Sequence, residues 1–334
     1  MKACFVCEPG GRLDFVFDQT RQAALRARLT LLEPVVSRSN LPDLREELQD
    51  VEIIIATWDM TPLSDDELAR TFPNLKLVLY AAGSVRYFAE PFLRRGIKVL
   101  SAWGAMAIPV AEYTVSAILH ANKGFYLAMA RYRSQGYQAG KQIATHLCPG
   151  TYDTGVGVLG AGMIGRRVIE MLQRHRVLIK VYDPFLPQTE ADRLGVTLTS
   201  LDDIFASCQT ISNHIANNPQ TVGMLHYDLF RLMSPTATFI NTGRGAQVVE
   251  DDLVRAMTEQ PDRCALLDVT WPEPCPPNHP FWSLPNVFLT PHIAGYAARE
   301  VYRLSDCMIE ELDRYLRGEP NLYEVTLPML QTMA

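Results

Sequence analysis

The 334-residue sequence is poor in the features that mark several protein classes. It has no surplus of positive charge: 31 basic residues face 37 acidic ones, a net of −6, and long basic runs are absent. That excludes the electrostatic footprint of a nucleic-acid binder. Uncharged apolar runs of 18 residues are also missing. The best candidate, Ile108–Leu119, is interrupted by Glu112, so no membrane span is expected. The opening MKACFVCEPG is too short an apolar run for a signal peptide and reads as a first β-strand. Cysteine is scarce, seven residues scattered from Cys4 to Cys307, an odd number that suits a reduced, cytoplasmic setting. Cys4 and Cys7 form one C-x-x-C, but residues three apart on a strand face opposite sides, so no metal site is expected. No repeat of 20–50 residues is visible.

Apolar residues make up 48% of the chain, the composition of a folded protein. Strand-like and helix-like segments alternate almost throughout, the pattern of a parallel sheet flanked by helices. Strands are predicted at Lys2–Cys7, Val51–Thr57, Leu75–Ala82 and Lys98–Ala102. A second series follows at Val156–Leu159, Leu178–Tyr182, Gln209–Asn213, Thr238–Asn241, Cys264–Leu267 and Val287–Leu289. Ser64 with Glu67 makes a capping box at a helix start. Further helices are predicted over Val85–Arg95, over Asp251–Glu259 and over Ala297–Arg317, and the segment Ala105–Lys123 is helical in pattern, starting behind Pro109 and ending at Gly124. The stretch Arg131–Thr154 is polar and carries no clear pattern.

The strongest local motif is VGVLGAGMIGRRV, with Gly160, Gly162 and Gly165. A predicted strand precedes it and a helix-compatible run follows. The next apolar strand ends at Asp183, 18 residues past Gly165. This is the dinucleotide-binding βαβ arrangement. The first glycine permits a tight turn, the second lets backbone approach a pyrophosphate, and the third lets helix pack on strand. The helix N-terminus offers free N–H groups to phosphate. Asp183 suits the two ribose hydroxyls and repels a 2′-phosphate, so NAD is expected over NADP.

Three more motifs each follow a predicted strand: FINTGRGAQV with Arg244, ALLDVTWPEP with Asp268 and Glu273, and LTPHIAG with His292. The carboxyl ends of parallel strands line the ligand crevice of open α/β sheets, so these side chains are expected to converge. Together they suit one reaction. Arginine grips a carboxylate through two parallel hydrogen bonds. Histidine exchanges a proton with a ketone or alcohol oxygen, and a glutamate on its far nitrogen favours the imidazolium.

The ordered series RRGIKVL, PVAEYTVSAIL, the glycine motif, NTGRG, LDVTWPEP, HPFWSLPNV and TPHIAG resembles the D-2-hydroxyacid dehydrogenase family over nearly the whole chain. The resemblance implies an α/β fold of two Rossmann-like or flavodoxin-like doubly wound parallel-sheet domains, with the active site in the cleft between them. Residues 1–104 plus 298–334 would form a discontinuous substrate domain and 105–297 the NAD-binding domain. It implies Arg244 as carboxylate binder, Glu273 as the residue orienting the histidine, and His292 as acid/base. Gly160, Gly162, Met163, Ile164, Gly165, Asp183, His214, Thr242, Gly243 and Asp268 would contact NAD, with Asp268 at the nicotinamide carboxamide. Ala82, Gly83 and Ser84 match the loop whose N–H groups hold the substrate carboxylate.

The family habit also implies a homodimer through the NAD domain, and the apolar and aromatic residues between Phe125 and Tyr137 suit that contact. Two departures stand out. The loop IANNPQT after His214 lacks the proline that the family usually carries two residues after the histidine. The loop GSVRYF lacks its usual aspartate and carries Arg86, either a binder of a second acidic group or a surface charge. The chain runs only 17 residues past Arg317, so the added regulatory domain of long phosphoglycerate dehydrogenases is not expected. The activity implied is NAD-dependent interconversion of a 2-keto acid and a D-2-hydroxy acid. The alternative reading is a non-catalytic, NADH-sensing corepressor-like dimer on the same scaffold. Glu273, where formate enzymes of the family carry glutamine, argues against formate oxidation.

Overall fold

The computed structural model describes residues 1–331. Its contacts divide into two compact units, Met1–Met106 with the segment from Tyr296 onward, and Ala107–Gly295.

The first unit is built on six strands: β1 (Lys2–Val6), β2 (Thr30–Leu31), β3 (Ile53–Ala56), β4 (Leu77–Tyr80), β5 (Lys98–Ser101) and, near the end of the chain, β13 (Glu324–Val325). Their order is β13-β5-β4-β3-β1-β2. All pairs are parallel except β13 with β5. The run Ile53-Ile54-Ile55 is wholly buried because helices cover both faces, so the strand reads as continuously apolar rather than alternating. Ile54 packs into one apolar layer with Val78 and Phe92, while Ile53 and Ile55 pack into the other with Phe17 and Leu304. Cys4 and Cys7 fall into these opposite layers, as their spacing requires.

The second unit holds β6 (Thr154–Leu159), β7 (Val177–Tyr182), β8 (Thr197–Leu198), β9 (Thr210–Asn213), β10 (Thr238–Asn241), β11 (Cys264–Leu267) and β12 (Val287–Leu289). The order β12-β11-β10-β9-β6-β7-β8 is parallel throughout. This is the dinucleotide-binding strand order, with its reversal point between β6 and β9. The first unit reverses between β1 and β3, the flavodoxin-like pattern.

Every long predicted strand is present. The three unpredicted ones, β2, β8 and β13, have two residues each, too few to show a period. Ser64 makes the expected capping box with Glu67 at the start of Asp65–Thr71. Two expectations are corrected. The helix expected from behind Pro109 begins earlier and runs Trp103–Asn122, with Pro109 inside it. The patternless stretch is mostly helical, over Phe125–Gln135 and Tyr137–Gln142 and then a π-helical turn, Ile143–Leu147. Few of its residues are buried, so burial imposed no apolar stripe on the sequence.

Candidate active site

In the second unit the chain leaves β6 and turns at Gly160, where φ is +90°. A Cβ there would lie 2.8 Å from the carbonyl oxygen of His214, at the end of neighbouring β9. Gly165, in the first turn of the helix Met163–Leu172, is tighter still. A Cβ would stand 2.0 Å from the Gly160 carbonyl oxygen, so helix and turn meet backbone to backbone. Gly162 caps this helix, and a Cβ on it would meet nothing within 4 Å. Open space therefore lies in front of the free N–H groups of the helix, bordered by the exposed Met163 and the half-buried Ile164.

Asp183 follows β7. Its Oδ2 accepts the Ala161 N–H at 2.7 Å and its Oδ1 that of Phe185 at 2.8 Å. Each oxygen has lone-pair capacity for one more donor. His214 points Nε2 at the Ser212 hydroxyl, 2.9 Å away, while Nδ1 is buried without a partner among the described residues. Burial pushes its pKa down to about 3, so the ring is neutral at ordinary pH. A cradle open at Gly162, a helix N-terminus, a carboxylate with spare acceptors and an unpartnered ring nitrogen fit a dinucleotide.

The carboxyl ends of β10, β11 and β12 carry the second set. Thr242 and Gly243 follow β10, with Thr242 Oγ1 3.2 Å from Thr114 Oγ1. Arg244 comes next and is partly buried, its guanidinium donating to the Gly243 carbonyl at 2.7 Å. Burial pulls its pKa down and the Glu273 carboxylate pushes it back up. Glu273 Oε1 lies 2.6 Å from Nδ1 of His292. Both side chains are about 41% exposed, so the pair faces solvent. His292 has a φ of +55°, uncommon for a non-glycine residue.

Asp268 is buried and holds the histidine loop. Its Oδ1 accepts Thr290 Oγ1 at 2.6 Å and the Ile293 N–H at 2.9 Å; its Oδ2 accepts the Ala294 N–H at 2.8 Å. Its backbone carbonyl accepts the His292 N–H at 2.9 Å.

Residues that sequence reasoning passed over hold these groups in place. Asn213 Nδ2 donates to Asn241 Oδ1 at 3.1 Å and to Gln247 Oε1 at 2.8 Å, and all three residues are buried. Asn241 Nδ2 reaches the Arg244 carbonyl at 3.1 Å, and Gln247 Nε2 reaches that of Ile215 at 2.8 Å. One polar network thus ties the Arg244 loop to the loop after His214. Glu250 accepts the Trp271 N–H at 2.8 Å, fixing the segment that carries Glu273. The asparagines that end the neighbouring strands β9 and β10 were the available signal.

In the first unit, Ala82, Gly83 and Ser84 follow β4. The Ser101 hydroxyl lies 2.8 Å from the Ala82 carbonyl and 2.7 Å from that of Gly83. A trans peptide points its N–H opposite its C=O. The Gly83 and Ser84 N–H groups are therefore each turned away from Ser101.

Residues 115–294 match the family model described as the D-isomer specific 2-hydroxyacid dehydrogenase, NAD binding domain. The chain belongs to this family. The NAD-binding domain of this 2-hydroxyacid dehydrogenase family member is the second unit just described. The human glyoxylate reductase/hydroxypyruvate reductase is 31% identical over 257 residues, 76% of this chain and 78% of that protein. The D-3-phosphoglycerate dehydrogenase of Mycobacterium tuberculosis is 30% identical over 256 residues, 76% of this chain but 48% of that protein. The match thus spans about half the length of such phosphoglycerate relatives. Among solved structures, a phosphoglycerate oxidoreductase from Rhizobium etli superposes with a TM-score of 0.79 at 27% identity, over 96% of each chain. The D-mandelate dehydrogenase of Rhodotorula graminis shares the fold, with a TM-score of 0.79 at 18% identity over 97% of each chain. Among the described residues, no helix is long and apolar enough to cross a membrane.

Proposed function

We propose that this dehydrogenase interconverts a 2-keto acid and a D-2-hydroxy acid with NAD(H) in preference to NADP(H). The observation that carries the proposal is the Glu273–His292 pair at 2.6 Å, with Arg244 close enough for Glu273 to act on its charge. NAD, when bound, supplies or accepts the hydride at C2. Gly160, Gly162, Gly165, Met163, Ile164, Asp183, His214, Thr242, Gly243 and Asp268 would hold it.

The protein's own residues handle the charge and the proton. Arg244 takes the substrate carboxylate, fixing the orientation of C2. His292 donates a proton through Nε2 to the ketone oxygen in reduction and takes it back in oxidation. Glu273 positions the ring through Nδ1. A carboxylate grip, a proton donor and a carboxylate behind that donor are the groups a 2-keto acid reduction requires.

We also propose a homodimer formed through the NAD-binding unit. Phe125, Met129, Tyr132 and Tyr137 are all exposed on its helices Phe125–Gln135 and Tyr137–Gln142, more apolar surface than solvation favours.

The test is NADH oxidation at 340 nm against a panel of 2-keto acids, with NADPH as control. The expected result is turnover of one or a few acids with NADH and a much lower rate with NADPH. Tight NADH binding without turnover of any acid would overturn the enzymatic proposal in favour of a nucleotide sensor.

A further inference from the structure

The motif HPFWSLPNV has no part in the proposed mechanism, yet its histidine stands beside the residue that holds the Glu273 segment. His279 caps the short turn Pro280–Trp282, its Nδ1 accepting the Phe281 N–H at 3.2 Å. The ring proton therefore sits on Nε2. That nitrogen faces Glu250 Oε2 at 3.4 Å, and both side chains are nearly buried, 14% and 11% exposed. The other oxygen of Glu250 accepts the Trp271 N–H at 2.8 Å. One carboxylate thus stands between two donors, with an oxygen for each.

The peptide that Glu250 holds is pinned from a second side. A Cβ on Gly245 would lie 2.1 Å from the Thr270 carbonyl carbon and 2.6 Å from the Trp271 nitrogen. The loop after Arg244 therefore rests directly on the Thr270–Trp271 peptide. Arg244 is the residue before Gly245, and Glu273 is the second after Trp271. The Trp271 side chain is 66% exposed, so it does not anchor its own backbone by packing. The residues that follow bond among themselves. The Thr270 hydroxyl donates to the Pro272 carbonyl at 3.0 Å, and the Pro276 carbonyl accepts the His279 N–H at 3.0 Å and Trp282 Nε1 at 2.8 Å. Backbone contact with Gly245 and the Glu250 carboxylate fix the Trp271 end of the peptide.

We propose that Glu250, braced by His279, is a positioning residue for the reaction, fixing the one peptide that sets both the Arg244 loop and the Glu273–His292 pair. The inference rests on the 2-keto acid reaction proposed above. Neither residue touches the reacting atoms. Glutamate suits this place better than glutamine. A carboxylate offers an acceptor to each donor, whereas an amide offers one acceptor and turns its NH2 toward the other donor.

The experiment measures kcat and KM for glyoxylate, pyruvate, hydroxypyruvate and phenylpyruvate with NADH. NADH affinity by fluorescence titration and Tm are read alongside, in the full chain and in Glu250→Ala, Glu250→Gln and His279→Asn. A misplacement of reacting groups by about 1 Å costs up to about 100-fold in rate. Glu250→Ala should lower kcat by about tenfold or more and raise KM several-fold, because proton donor and carboxylate grip shift together. Its NADH affinity should stay within a few-fold. Glu250→Gln keeps an acceptor for the Trp271 N–H and should recover most of the loss. Asparagine can still cap the turn, so His279→Asn removes only the donor at Oε2. It should lower kcat a few-fold at a nearly unchanged Tm, and it decides the matter if Glu250→Ala does not fold. Parent-like kcat and KM in Glu250→Ala or in His279→Asn would overturn the inference while leaving the reaction standing. So would a glutamine variant no better than the alanine one, or NADH affinity falling in step with kcat. Reduction of none of the four acids by the parent would overturn both.

Discussion

Arg244 bears the carboxylate in the proposed reaction, and its surroundings explain why its loss should be specific. Its guanidinium donates to the Gly243 carbonyl and, with five N–H groups, leaves further donors for substrate. Arg244→Ala is therefore expected to lower kcat/KM by about 100-fold or more. NADH affinity, read by fluorescence titration, should stay within a few-fold; equal loss of both would reject the role. Glu273→Gln keeps a hydrogen bond to Nδ1 of His292 but removes the charge beside it. The reductive kcat/KM should then fall by about tenfold or more while NADH affinity stays within a few-fold, and an unchanged kcat/KM would reject the pairing.

His214 gives a stability prediction. Its folded pKa of about 3 lies below the unfolded value of about 6.5. Between these values the unfolded chain binds more protons, so the folded state loses stability as pH falls from about 6.5. His214→Gln should flatten the decline of the urea midpoint between about pH 6.5 and 4.5. A decline as steep as the parent's would show that other groups set it.

At the scale of elements, the glycine turn joins β6 to the helix Met163–Leu172 through a contact no side chain can share. Gly165→Ala places a methyl group 2.0 Å from the Gly160 carbonyl oxygen, and that neighbour is backbone and cannot swing aside. The helix must move, at a cost of roughly 1–3 kcal/mol for overpacking. NADH affinity should fall together with Tm, because the displaced helix N-terminus is the proposed phosphate cradle. A normal Tm and normal NADH affinity would count against the close packing. The same element shows how much was legible. The spacing of Gly160, Gly162 and Gly165 with Asp183 marked the turn, since each position has a local backbone reason. The network of Asn213, Asn241 and Gln247 was not legible: Asn213 and Asn241 end neighbouring strands whose parallel register pairs them, and Gln247 reaches them from the 3-10 turn Gly245–Gln247.

The whole molecule carries two doubly wound sheets with different strand orders, and the sequence shows one of them more sharply than the other. Alternation of apolar strands and helices marked both series. Only the second bears motifs whose chemistry is local, so only there did site residues emerge from the letters. The helices Phe125–Gln135 and Tyr137–Gln142 stayed hidden because they bury little surface within their own unit. Their exposed aromatics underlie the expectation of a dimer. Sedimentation equilibrium should give twice the mass of 37.5 kDa, and Tyr132→Glu with Tyr137→Glu should shift it toward the monomer. A monomer at tens of micromolar in the parent would overturn the proposed assembly.

The sequence by itself determined the fold class and the dinucleotide turn, and it pointed to Arg244, Glu273 and His292 as the chemical set proposed above. These depend on periodicity and on residue types next to strand ends, both of which are local. Tertiary structure alone decided that Glu273 and His292 meet at 2.6 Å and that Asp268 spends three acceptor positions on the histidine loop. It also decided that Gly245 and Glu250 close on the one peptide between Thr270 and Trp271. Residues far apart in the chain become neighbours only when strand order and register are set, and no local rule of sequence encodes that distance.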